Sequence, residues 1–282
     1  TDLDLELFLN MGRMKSMDEA KELLSGSTAA GFNFVLIDRS GNISYYPFAG
    51  IPRREWDVTE TPAWLPLPGT GEFEWSEKLI KADELPQLEN PSRGFIATAN
   101  AAITDDMIDG IPGNEGYPPL QTVYMAPGAR QARIVDILEN ITVHSASTHG
   151  TIQGDTHSWI AEQMLPGLLA AADEATISPK AAALVDTMRD WDYTCPTGLD
   201  GSDPEMAGKV SGDEAAASIG CAAFHVTVFT LADAIIKDEF DAADDANDAN
   251  VPRSSRGEFR IFYWLMVNPE NLANGEAYWD DV

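Results

Sequence analysis

The chain has 282 residues, of which 44% are hydrophobic, enough for one large domain or two modest ones with cores of their own. Its 46 acidic residues outnumber 18 basic ones, giving a formal net charge of -28. A surface this acidic repels phosphate backbones and anionic lipid, which argues against nucleic-acid and membrane-surface partners, and salt screens its self-repulsion.

The first residues, Thr1-Asp2-Leu3-Asp4, form neither a basic nor an apolar stretch, so no signal peptide is expected in the chain. Residues 16–24 open with Ser16 and carry Glu19 three places on, a capping-box pattern that predicts a short helix. Residues 32–38 are an apolar run rich in strand formers. Arg39 to Asn42 are turn residues and Ile43 to Tyr46 resume a strand, so the whole predicts a hairpin. Pro47, Pro52, Pro62, Pro66 and Pro68 punctuate residues 47–92 and predict an irregular excursion rather than a sheet centre. Gly94 to Ala99 predicts a further strand, and residues 104–119, rich in Asp, Gly and Pro, predict a second loop.

From Gly128 the apolar period becomes helical. Ala132, Ile134, Val135 and Leu138 fit one face, and Ile160, Met164, Leu165, Leu168 and Leu169 fit another. Ala181 to Trp191 and Glu214 to Phe240 continue the pattern. Ala215 to Ala232 is uncharged over the ~18 residues that a membrane span needs. Ser218, Gly220, His225, Thr227 and Thr230 interrupt it and predict a buried helix instead. The acidic run Asp238 to Asn250 is expected to break that helix before a last apolar segment, Phe259 to Met266. The fold class is therefore α+β, mixed over residues 1–127 and mostly helical over 128–282.

No dinucleotide, Walker, zincin or nucleophile-elbow motif occurs in the sequence. His144, His149 and His157 are spaced by five and eight, which does not align them on one helix face, and His225 stands apart; all four read as structural or surface histidines, and no metal is predicted. The run 238–250 offers oxygen ligands for calcium but lacks the ordered Gly and closing Glu of an EF-hand, so it reads as a solvated loop. Cys195 and Cys221 have no CxxC partner and form either one disulfide or two core thiols. Polar residues at strand ends are more informative. Asn33 lies within an apolar strand. Asn100 closes another, where its amide can donate to a developing oxyanion or simply begin a turn. Arg130, at a helix start, is by default a surface cation.

Residues 90–100, Asn-Pro-Ser-Arg-Gly-Phe-Ile-Ala-Thr-Ala-Asn, resemble the Asn-Pro-x-x-Gly-aromatic-Ile-x-x-x-Asn-Asn signature of the penicillin acylases, a family of N-terminal nucleophile hydrolases. Phe32 to Asp38, Gly41-Asn42-Ile43 and Gly50-Ile51-Pro52-Arg53 resemble its hairpin. Leu65 to Trp75 resembles its Leu-Pro-x-Pro-Gly-x-Gly loop, and Gln153, Asp155, Ser158, Ala161 and Leu165-Pro166 fall in its spacing. Trp191-Asp192 matches its Trp-Asp-Gly with Tyr193 in place of Gly.

The resemblance implies that residues 1–127 belong to a layered αββα core, followed by a helical subdomain. It implies hydrolysis of N-acyl amides through an acyl-enzyme, the nucleophile being an N-terminal Ser that uses its own amino group as base. It puts the oxyanion-binding Asn on Asn100, with Ala101 where the family has a second Asn. The active-site Arg falls on Arg130, with Arg133 second, and the acyl-pocket aromatics on Phe32 and Phe8. The family's calcium-ligand Asp has no counterpart between Gly113 and Gln121, so no calcium or other cofactor is expected. Motif order puts Thr1 well inside the large chain. The chain is thus expected to be an internal fragment, inactive alone. Its partners would be the α-chain, the N-terminal part of the β-chain and a small acyl-amide, with no nucleic acid or membrane. The resemblance also implies a periplasmic or secreted location. Candidate substrates are β-lactam side chains, acyl-homoserine lactones and lipopeptide tails. The competing class is a non-enzymatic acidic module linked to calcium through residues 238–250.

Overall fold

A computed structural model describes residues 4–28, 31–58, 60, 61, 63, 66–101, 103, 128–197 and 212–247, with the backbone alone for Asp4 and 236–247. The loop expected at 104–119, the interval Gly113 to Gln121, the segment Phe259 to Met266, Thr1 and the end of the acidic run lie outside the described residues. The chain divides into two compact units, residues 1–142 and 143–282.

The first unit begins with helices α1 (Asp4–Met11) and α2 (Met17–Leu24). The Ser16 hydroxyl accepts from the Glu19 N–H at 3.1 Å, and the Glu19 carboxylate accepts from the Lys15 N–H at 2.9 Å. The box thus closes one residue earlier than its usual form, and α2 turns Ala20 and Leu24 inward. Strands β1 (Phe34–Ile37) and β2 (Ile43–Tyr46) form the expected antiparallel hairpin, Phe34 opposite Tyr46 and Ile37 opposite Ile43. The Asp38 carboxylate holds its turn, accepting from Ser40 N at 2.8 Å, Asn42 N at 2.9 Å and Asn42 Nδ2 at 2.7 Å. These bonds, that from the Asn42 side chain foremost, hold its carboxyl below the usual range. Gly41, at φ 86, supplies the left-handed step.

The proline-rich stretch is less irregular than its sequence suggests. β3 (Pro52–Arg54) pairs with β4 (Trp75–Leu79) in a separate two-stranded sheet, and β5 (Leu88–Glu89) pairs with β2, giving a three-stranded order β1-β2-β5. Pro52 costs nothing in a sheet without a centre. Residues 94–99, in contrast, are not a strand. The carbonyls of Phe95, Ala97 and Ala99 accept from the side chains of Arg93, Gln131 and Arg130, not from a neighbouring ladder. Leu7, Leu24, Phe34, Tyr46, Phe48, Ile80 and Leu85 make the core. Tyr45, on the opposite sheet face, is also buried; its hydroxyl donates to Asn33 Oδ1 at 2.6 Å, and burial pushes its pKa up to about 12.

Helix α3 (Ala129–Asn140) starts after Gly128, at φ 72, and belongs to the first unit. Helical sequence therefore begins near residue 128, while the compact unit extends to Thr142, because Arg130 and Gln131 bond back to residues 97–100.

The second unit holds α4 (Ala146–Gln153), α5 (Trp159–Glu174), α6 (Pro179–Arg189) and α7 (Gly212–Asn247). Ser145, Ser158 and Ser178 cap the first three by accepting from the N–H groups of Thr148, Ala161 and Ala181. Met164 and Leu165 of α5, Met188 of α6, Trp191, and Phe224 and Val228 of α7 form the core. Gly220 lies against Trp191 so closely that a Cβ there would stand 2.5 Å from the indole Cγ. Cys195 and Cys221 are disulfide-bonded, which settles the alternative left by the sequence.

Two expectations about α7 change. The acidic run does not interrupt it, since the helix continues to Asn247; Ala242, Ala243 and Ala246 favour the helix more than the flanking charges oppose it. Nor is α7 buried all round. Gly212–Ile235 is long and apolar enough to cross a membrane. One face packs on the core, while Ile219, Val226 and Phe229 are exposed, Val226 by 63%. The histidines do not converge as a group. His157 Nε2 lies 2.9 Å from Glu162 Oε2, and His144 and His149 face each other with ring centres 5.6 Å apart.

Candidate active-site residues

The chain reverses at Pro91 to Gly94, where Gly94 N–H donates to the Pro91 carbonyl at 2.8 Å and Gly94 takes φ 77. Residues 95–98, without regular structure, lead to a bend at Ala99 and Asn100, and Asn100 adopts φ 60. That left-handed setting is one Asn tolerates better than most residues, and it turns the side chain out of line with the preceding run. Ala99 is buried and Asn100 exposed.

Arg130, in the first turn of α3, reaches back over this corner. Its Nη2 donates to the Ala99 carbonyl at 2.9 Å and to Asn100 Oδ1 at 2.9 Å. A guanidinium only donates, so the atom facing it is the carboxamide oxygen, and the Nδ2 amide group is turned away. The arrangement therefore holds an N–H donor at a fixed corner with a cation directly behind it, the polarity that suits an oxygen gaining negative charge. Gln131, which the sequence reading did not single out, donates to the Ala97 carbonyl at 2.7 Å. Its Oε1 is buried without a hydrogen-bond partner among the described residues. Its only sequence signal is its place beside Arg130. Arg133, the second candidate, pairs instead with Asp136 of its own helix at 3.1 Å.

Phe8 and Phe32 also meet. Their rings pack edge to face with centres 5.5 Å apart, and Phe32 continues to Phe34 at 5.7 Å. Phe8 is 46% and Phe32 38% exposed, whereas Phe34 belongs to the core. Ile103, three residues beyond Asn100, packs on that same core. The structure thus joins the four residues as two pairs, Asn100 with Arg130 and Phe8 with Phe32.

Known proteins are similar to this chain in sequence and in fold. The family profile described as penicillin amidase matches residues 1–282. The penicillin acylase 2 proenzyme of Pseudomonas sp. (strain SE83) is 27% identical over 159 residues, which cover 56% of this chain and 19% of that protein. The penicillin G acylase of Escherichia coli is 27% identical over 167 residues, covering 58% and 18%. A thermostable penicillin G acylase from Alcaligenes faecalis has a similar fold, with a TM-score of 0.51 at 16% identity, over 98% of this chain and 53% of that one. The chain spans about a fifth of the length of the curated relatives it matches. With its α+β architecture and a profile match along its whole length, the chain belongs to the penicillin amidase family.

Proposed function

We propose that this chain is the part of an N-acyl amide hydrolase that supplies the oxyanion-binding corner and one wall of the acyl pocket. The reading rests on the bond from Arg130 to Asn100 Oδ1, which turns the amide N–H outward and ties it to α3. Asn100 donates to the oxygen of the tetrahedral intermediate, Arg130 orients Asn100, and Phe8 and Phe32 face the acyl group. The remainder of the precursor, its α-chain and the N-terminal part of its β-chain, supplies the Ser nucleophile, and the reaction passes through an acyl-enzyme. No cofactor takes part. The periplasmic or secreted location common to such acylases goes with this role.

The test compares the isolated chain with the complete enzyme on a chromogenic acyl amide. The isolated chain gives no turnover. In the complete enzyme Asn100→Ala lowers kcat about 100- to 1000-fold with KM little changed, since the lost bond exists mainly in the transition state. Turnover by the isolated chain that a point substitution within it abolishes overturns the proposal.

A further inference from the structure

Away from the candidate active-site residues, one cluster among the described residues brings ligand-type atoms together from separate segments of the chain. Cys195 lies in the segment after α6, and Cys221 and His225 stand one turn apart on α7. One ligand atom from each of the three lies within 4.8 Å of the others. His225 presents Nε2 to Cys195, 3.9 Å from its Sγ. All three residues are half-buried against the apolar core, with the Phe224 ring 5.2 Å from the His225 ring.

We propose that Cys195, Cys221 and His225 form a thiol-gated site for a borderline-soft divalent metal ion of the zinc class, closed while the sulfurs are bonded to each other. Two thiolates and an imidazole are the donor set such ions select over hard oxygen-seeking ones. Tetrahedral coordination with metal–sulfur bonds of about 2.3 Å needs the sulfurs about 3.7 Å apart. The Cα atoms, 5.4 Å apart, allow that separation by side-chain rotation.

The backbone around the ligands is held without the sulfur–sulfur bond. Cys195 N–H donates to the Thr156 carbonyl at 2.9 Å, Ser158 N–H to the Tyr193 carbonyl at 2.8 Å, and Trp191 Nε1 to the Thr194 carbonyl at 2.7 Å. These bonds tie residues 191–195 to the segment before α5, and the close contact of Trp191 with Gly220 sets that segment against α7. One helical turn fixes Cys221 and His225 on one face of α7.

A dithiol attacks the disulfide and is itself oxidised to a cyclic disulfide, and its two electrons and two protons pass to Cys195 and Cys221. When the metal binds, both thiol protons leave to solvent and two metal–sulfur bonds form, with His225 Nε2 donating its lone pair. Water fills the fourth position.

The experiment uses the full 282-residue chain and Co²⁺ alone as the probe, because a thiolate-to-cobalt absorption band reports sulfur ligation and is silent to the many carboxylates. The chain is reduced with a phosphine, freed of reductant without oxygen, and titrated. One Co²⁺ per reduced chain with the thiolate band, displaced by Zn²⁺, and no band from the oxidised chain, is the expected result. His225→Gln keeps the disulfide, so its folding is checked in the oxidised form. After reduction it should bind Co²⁺ at least about tenfold more weakly, since even outer-shell partners contribute that much. A reduced chain without the band overturns the site. So does a band equally strong in Cys221→Ser, or undiminished affinity in a folded His225→Gln.

Discussion

In the first unit, polar side chains reach across long stretches of sequence. Lys21 pairs with Glu89 at 2.8 Å, Asn90 Oδ1 accepts from Ile43 N–H at 2.9 Å, and Arg130 and Gln131 hold residues 97–100. Among the described residues of the second unit, serine caps and i to i+3 pairs supply local side-chain hydrogen bonds. Its long-range order comes chiefly from apolar packing, backbone bonds around Thr156 to Cys195 and one disulfide. Directional bonds fix where an amide points, and packing fixes how far apart two helices lie. The proposed oxyanion corner therefore belongs to the unit whose distant segments are tied by named donors and acceptors.

The sharpest break is Phe224→Ala. The side chain is 0% exposed, and truncation should cost about 3–5 kcal/mol through lost burial and the cavity left behind. Hydrogen exchange should lose protection across α5 to α7 while β1 and β2 keep theirs; equal loss in both units would erase the distinction. A pH titration probes the first unit instead. Tyr45 ionises at about 12 when folded, against the ordinary 10.0. Below pH 10 the phenol is neutral in both states. Between 10 and 12 the unfolded chain ionises first, so stability should fall by on the order of 2 kcal/mol and level off above. Tyr45→Phe should lack that step in urea unfolding followed from pH 9 to 12. Gly220→Ala, which forces a methyl against Trp191, should destabilise the second unit by roughly 1–3 kcal/mol. Ser16→Ala removes the cap of α2 and should cost about 1 kcal/mol, read as a lower midpoint for the first unit alone.

The hairpin, the capped helix α2 and helices α3, α5, α6 and most of α7 were legible because period, turn residues and caps act over a few positions. Residues 94–99 were not, since the carbonyls of Ala97 and Ala99 find their partners on side chains more than thirty positions later. Strands β3 and β4 were hidden because proline excludes only a sheet interior. The extension of α7 through the acidic run followed alanine content, where charge density pointed the other way. Asn100 carried two readings, a turn former or an amide donor. Its φ of 60 and its bond to Arg130 are compatible with both at once. No spacing rule could have paired it with Arg130, which the family resemblance alone suggested. The Cys195, Cys221 and His225 cluster was equally invisible, because it forms only when the segment after α6 meets α7.

The contact between Gly220 and the indole of Trp191 works as a keyway. Turning α7 by one position would drive Ile219 or Cys221 into the ring, so the missing Cβ sets the helix both along its axis and around it. That setting rests on a contact separate from the neighbouring sulfurs, so the helix is expected to keep its place when the bond between Cys195 and Cys221 is opened.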